Sequence, residues 1–119
     1  MGNDEKRKFG LRWRDRKKSA SATVEYLDMK AVPEGWIYCV QQVAVNNETD
    51  SYTHLYIGTR SGATYKSIED TPSPAADQFY TWQGELFLHP GEIFSVKFVG
   101  ATADDVLEAL AWGWRQKIR

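Results

Sequence analysis

A single cysteine, Cys39, stands in 119 residues, so no disulfide can form within the chain. That excludes the small disulfide-stapled scaffolds without naming a compartment. No apolar run approaches the ~18–20 residues that cross a bilayer as a helix, and no apolar stretch follows the charged N-terminus as a secretory signal requires. No membrane partner is therefore expected. Met1-Gly2 opens like a myristoylation start, but Lys6 stands where Ser or Thr is needed. Histidine is scarce as well. His54 and His89 are the only side chains whose ordinary pKa lies near neutrality, one inside a strand pattern and the other in a turn, and both read as structural or surface groups.

Metal-binding signatures are missing: there is no CxxC, no HExxH and no paired His beside an Asp. Glycines 58, 62, 84, 91, 100 and 113 occur singly and suit turns, not a phosphate-cradling loop. Cys39 sits in the most apolar segment, where a thiol acts as a small hydrophobe, and no histidine near it in sequence would make it a nucleophile. Asn47-Glu48-Thr49 matches a glycosylation sequon, which has meaning only in a secretory protein. The expectation is a non-enzymatic protein with no catalytic residues, no metal and no cofactor.

What is present is apolar mass and an uneven charge. Aliphatic and aromatic residues make up 42% of the chain. At this length they can feed one core that buries roughly two thirds of the unfolded surface. The formal charge of −1 conceals a partition. Residues 1–18 carry eight bases against three acids, residues 19–114 four bases against thirteen, and the last five add Arg115, Lys117 and Arg119. An acidic body lies between two basic ends.

In the basic segment Phe9, Leu11 and Trp13 alternate with Arg12, Arg14 and Arg16, followed by Lys17 and Lys18. A period of two gives a strand with one apolar and one cationic face. Three placements fit it: a leader or strand folded onto its own body, an arm added to a neighbouring subunit, or a phosphate-binding segment with Trp stacked on bases. The acidic body argues against nucleic acid, so DNA is the weaker partner. The expectation carried forward is residues 1–21 as a basic arm and hinge, with Phe9, Leu11, Arg12, Trp13, Arg14, Arg16, Lys17 and Lys18 as its partner-binding residues, and 22–119 as a sandwich domain.

The body reads as short strands at 22–28, 36–45, 52–60, 63–69, 79–83, 85–88 and 93–99, separated by turn chemistry such as Val32-Pro33-Glu34-Gly35 and His89-Pro90-Gly91-Glu92. Within them Trp36, Tyr38 and Val40 share a face, as do Leu55 and Ile57, and Phe94, Val96 and Phe98. Residues 70–78, with Pro72 and Pro74, read as a loop. The last segment fits a capped helix or a strand with Val106, Leu110, Trp112 and Trp114 on one face. Gly113 between two Trp favours the strand, because Gly costs a helix interior ~1 kcal/mol relative to Ala. The spacing predicts a single antiparallel β-sandwich of about eight strands, all-β and jelly-roll-like. Five Trp and six Tyr suit a core or an interface, and also a sugar-stacking platform if they line an open sheet face.

The run from His89-Pro90-Gly91-Glu92 through Phe94-Ser95-Val96-Lys97-Phe98-Val99-Gly100-Ala101-Thr102-Ala103-Asp104-Asp105 to Gly113-Trp114 resembles a pattern in small virion proteins of tailed bacteriophages. The layout before it is similar too: a strand ending Val45-Asn46-Asn47-Glu48, then Leu55-Tyr56-Ile57-Gly58 with Arg60, then Pro74-Ala75-Ala76 ahead of Phe79-Tyr80-Thr81-Trp82. The resemblance covers about residues 36–114 and leaves out the basic segment. It implies a non-enzymatic virion β-sandwich present in many copies, at the capsid surface as a decoration protein or at the head–tail connector or neck. Its partners would be copies of itself and the portal, neck or major capsid protein, and its place the virion, assembled in the host cytoplasm. A carbohydrate- or receptor-binding module and a nucleic-acid-binding accessory protein are the alternatives.

Overall fold

The computed structural model describes residues 7–20 and 23–118. Its elements are eight strands: β1 (Lys8–Lys18), β2 (Val24–Asp28), β3 (Trp36–Asn47), β4 (His54–Ser61), β5 (Thr64–Pro72), β6 (Tyr80–Leu88), β7 (Ile93–Val99) and β8 (Val106–Lys117). They form two four-stranded sheets, ordered β1-β8-β3-β6 (sheet A) and β2-β7-β4-β5 (sheet B), with antiparallel neighbours throughout. This is the jelly-roll order, in which successive strands alternate between the two layers along much of the chain. No helix occurs among the described residues, so the ambiguous last segment is a strand.

Alternation places the core. Phe94, Val96 and Phe98 of β7, Leu55 and Ile57 of β4, and Leu27 of β2 are buried from sheet B. They meet Val40, Val43, Val45, Leu88, Leu107, Ala109 and Ala111 from sheet A in one cluster. On β8 the inward residues are Leu107, Ala109 and Ala111, which leaves Leu110, Trp112 and Trp114 on the outer face. Small residues on this central strand leave room for the phenylalanines of the opposite sheet.

Period two fails inside β3. Val40 points into the core, yet so do Val43 and Val45. The register against both β6 and β8 shifts between Val40 and Gln42. Gln41 is an extra residue opposite β8, a β-bulge that reverses parity and lets both halves of β3 face inward. The strand pieces expected on either side of Gly84 are accordingly one strand, β6, whose pairing with β3 skips Gly84 and Glu85. Gly113 answers the bulge from β8: a Cβ there would lie 1.9 Å from the Cys39 carbonyl oxygen. The loop expected over residues 70–78 is shorter, because β5 runs to Pro72 as an edge strand beside β4.

Of the placements open to the basic segment, the structure has the strand on its own body. Residues 8–18 form β1 and pair with β8 from Lys8↔Gln116 to Lys18↔Val106. Leu11 is buried, and Trp13 packs against the core with its ring edge-on to Phe94 at 5.7 Å. Ordering a strand costs backbone entropy. Burying Leu11 and Trp13 and saturating one edge of β8 offsets that cost, so the segment belongs to the sandwich. Residues 1–6 and part of the expected hinge, residues 21–22, lie outside the described residues.

Candidate functional site

Sheet A turns its cationic row outward. Arg14 Nε donates to Glu108 Oε2 at 2.6 Å, Arg16 binds Glu48 at 2.9 and 3.1 Å, and Lys17 lies 3.2 Å from Glu25. The Arg16 guanidinium holds the Glu48 carboxyl below the usual carboxylate range, through hydrogen bonding first and charge second. Two of the five bases on that face, Arg14 and Arg16, are thus neutralised by the body's own acids, and Lys17, which alternates to the other side opposite Leu107, is paired as well. Lys8 sits 4.1 Å over the Trp114 ring. Arg12 and Lys18 are exposed and have no ion pair among the described residues. Phe9, partly exposed, tilts against Trp36 at 6.0 Å. The eight expected partner-binding residues therefore divide. Leu11 and Trp13 serve this chain's core, Arg14, Arg16 and Lys17 serve its own ion pairs, and Phe9, Arg12 and Lys18 remain toward solvent.

Register brings one row of side chains across all four strands of sheet A. Arg12 of β1 stands opposite Trp112 of β8, Trp112 opposite Gln42 of β3, and Gln42 opposite Gln83 of β6. Gln41 joins from the bulge. The row spans three inter-strand spacings, about 14 Å. Open depressions follow it. One of about 520 Å³ is lined by Gln41, Gln42, Gln83, Gly84, Trp112 and Gly113. A second, of about 420 Å³, shares Gln42, Gln83 and Trp112, and a third, of about 280 Å³, continues past Trp112 to Arg12 and Arg14. Gly84 and Gly113 lie in the floor of the first, where a Cβ would run into the Trp82 ring or the Cys39 carbonyl. Beside the row, Trp114 and Phe87 meet edge-to-face at 5.9 Å and flank Cys39 in register. That covers the thiol on the outer side of the sheet, and burial pushes it up from its ordinary pKa.

The outer face of sheet B is built differently. Arg60 pairs with Asp28 and lies over Tyr26 at 4.8 Å, the Ser95 hydroxyl donates to Asp28 at 2.6 Å, and the Tyr65 hydroxyl donates to the Ser95 carbonyl at 2.9 Å. Lys97 lies over Tyr56 and Tyr65. Desolvation raises the Tyr65 phenol far above its ordinary value. This face is occupied by its own partners. The histidines are similarly engaged: His54 stacks on Tyr56 at 4.5 Å, and His89 lies 3.7 Å from Glu92. Among the described residues no cluster of three His, Cys, Asp or Glu side chains could hold a metal.

A buried polar junction ties the ends of the two layers together. Asn47, at the end of β3, donates its Nδ2 to Asp105 Oδ2 at 2.9 Å, and Asp105 also accepts from the Thr102 amide at 2.8 Å. The Asn47 oxygen accepts from the amides of Thr49 and Asp50. Asp105 in turn raises the pKa of the neighbouring Asp50, through a shared hydrogen bond and like charge. Gly100 starts this turn at φ +81°, with Thr53 packed against the space its side chain would need.

Sequence reasoning found Trp112 and Trp114 as one strand face, but missed Gln41, Gln42 and Gln83. The adjacent glutamines of β3 were the available signal. Their union with Gln83 required the register.

No family model matches the chain, and no curated protein matches it. Solved structures match by shape. A protein of the Bacillus endospore appendages, described as disulfide-linked pili, superposes with a TM-score of 0.59 at 15% identity, over 100% of this chain and 96% of that one. The N-terminal cellulose-binding domain of Cellulomonas fimi β-1,4-glucanase C gives a TM-score of 0.35 at 17% identity, over 92% and 80% of the two chains, too loose a fit to bear on function. The chain is an all-β, two-sheet sandwich whose fold is similar to that of the appendage protein.

Proposed function

We propose that this chain is a non-enzymatic structural protein of a tailed-bacteriophage virion, present in several copies at the head–tail connector or neck, or on the capsid surface. Its partners are copies of itself and the portal, neck or major capsid protein, and its location is the virion. The observation that carries the reading is the Asn47–Asp105 junction. The residues that resemble the phage pattern come from two segments 58 positions apart. In the folded chain they meet: Asn47 holds Asp105, Ala101 is buried, and Gly100 and Asp104 both take positive φ. The residues that carry the resemblance thus share one place in this fold, which supports the reading.

A subunit of this kind needs a stable body and a surface left for neighbours. The exposed edge of β1, with Arg12 and Lys18 unpaired at its surface, supplies such a surface, and its charge would set register and encounter rate more than affinity. DNA is a weaker partner, because Arg14, Arg16 and Lys17 already hold carboxylates of the same chain. Cross-linking of intact virions, read by mass spectrometry, tests the proposal. Lys8, Lys17 or Lys18 should link to a second copy or to a portal, neck or capsid protein. Absence of the chain from purified virions refutes it.

A further inference from the structure

The geometry points to a binding site for a neutral oligosaccharide in the groove that crosses the outer face of sheet A, with Trp112 as its platform and Gln41, Gln42 and Gln83 as its hydrogen-bonding groups. This goes beyond a virion role and does not depend on it.

Charge selects the ligand class. Around a quarter of the chain is charged, yet the main depression is lined by three primary amides, one indole and two glycines, with no ionisable group. A phosphate, a nucleic acid or an acidic glycan would find Arg12 at one end of the row, beside an Arg14 already held by Glu108. A purely apolar ligand would leave three amides facing it unpaired. A pyranose chain fits both demands. Its axial C–H faces are apolar and stack on an indole, while its hydroxyls both donate and accept, as a glutamine amide does. Among the described residues, no protein hydrogen bond occupies the three amides. Sheet B provides the internal contrast, since its tyrosines, Arg60 and Lys97 are taken up by one another.

Shape agrees with the chemistry. The row runs across the strands and not along one of them, so a linear ligand lies over Trp112 and meets Gln42 and then Gln83 in register. Gln41, left unmatched at the bulge, joins Gln42 in the lining, and Gly84 and Gly113 line the floor with backbone alone. Such clefts, apolar at the base with a few convergent polar groups, are the usual form of small-ligand sites.

The test is calorimetric titration of the full chain with cellohexaose, laminarihexaose, mannohexaose and chitohexaose, each up to about 5 mM, with oligogalacturonate and a short single-stranded DNA as charged probes. At least one neutral oligosaccharide should bind with quenching or enhancement of tryptophan fluorescence. Trp112→Ala should weaken that binding at least ~10-fold, and Gln42→Ala with Gln83→Ala by a similar factor. Trp112→Phe, which keeps a ring, should retain most of it. Lys18→Glu, distant in register from the row, should change nothing. Unaltered thermal melts confirm that the variants fold. The inference is overturned if no neutral probe binds, if binding survives Trp112→Ala in a folded variant, or if only the charged probes bind.

Discussion

Replacing Leu11 with alanine asks whether residues 8–18 are part of the body. In a detached segment the change would leave the melt alone. In β1, Leu11 is only 9% exposed and belongs to the core cluster. Leu→Ala at buried sites costs about 2–5 kcal/mol, depending on how far the site collapses. Leu11 lies on an edge strand, where neighbours relax more easily, so the lower part of that range applies, about 2–3 kcal/mol. Unfolding entropy near 2.1 cal/mol/K per residue gives roughly 250 cal/mol/K for this chain, so each kcal/mol lowers the midpoint by about 4 °C. Leu11→Ala should therefore melt about 8–12 °C below the parent in a calorimetric scan. Trp13→Ala should fall comparably, since it also removes the edge-on contact with Phe94. Arg12→Ala, on the outward face of the same strand, should stay within about 2 °C. A Leu11→Ala melt that matches the Arg12→Ala melt would refute the placement of β1.

Three further substitutions probe other parts of the frame. Gly113→Ala drives a Cβ into the Cys39 carbonyl; overpacking against backbone at a central strand should cost about 1–3 kcal/mol or more in a urea titration, and an unchanged midpoint would contradict the bulge geometry. Asn47→Ala removes the donor to buried Asp105 and the acceptor for two amides, so denaturant unfolding should show a loss of about 2–3 kcal/mol. Asp50→Asn tests the Asp50–Asp105 contact by pH. A carboxyl whose folded pKa is raised destabilises the fold in its ionised form, and that penalty is relieved as pH falls through the folded value. The variant should melt above the parent at pH 7, and the difference should close as pH drops into the carboxylate range.

Much of the architecture was legible locally. Phe94-Ser95-Val96-Lys97-Phe98 can sit only as a strand with one buried face, and Gly113 between Trp112 and Trp114 turned the last segment away from a helix. The ownership of β1 was not legible, because alternation of Leu11 and Trp13 with arginines describes a strand equally well on its own sheet or on a neighbour's. Charge sums had the same blindness: they recorded that acids and bases were separated along the chain, but not that Arg14 meets Glu108 and Arg16 meets Glu48 within it. The groove was hidden by the bulge. Strict period two carried through β3 sets Val43 and Val45 opposite to Val40, so no local rule placed Gln42 outward beside Trp112.

That single extra residue makes Gln41 the place in β3 where a residue can be lost without turning the strand over. In a chain lacking Gln41, Val40 would stand next to Gln42 while still opposite Gly113, and plain alternation would keep Val40 inward and Gln42 outward. The core would keep its side chains, and the groove would lose one amide. An insertion or deletion away from the bulge acts differently. It turns the part of the strand beyond it to the other side of the sheet, and with it part of the core or of the groove.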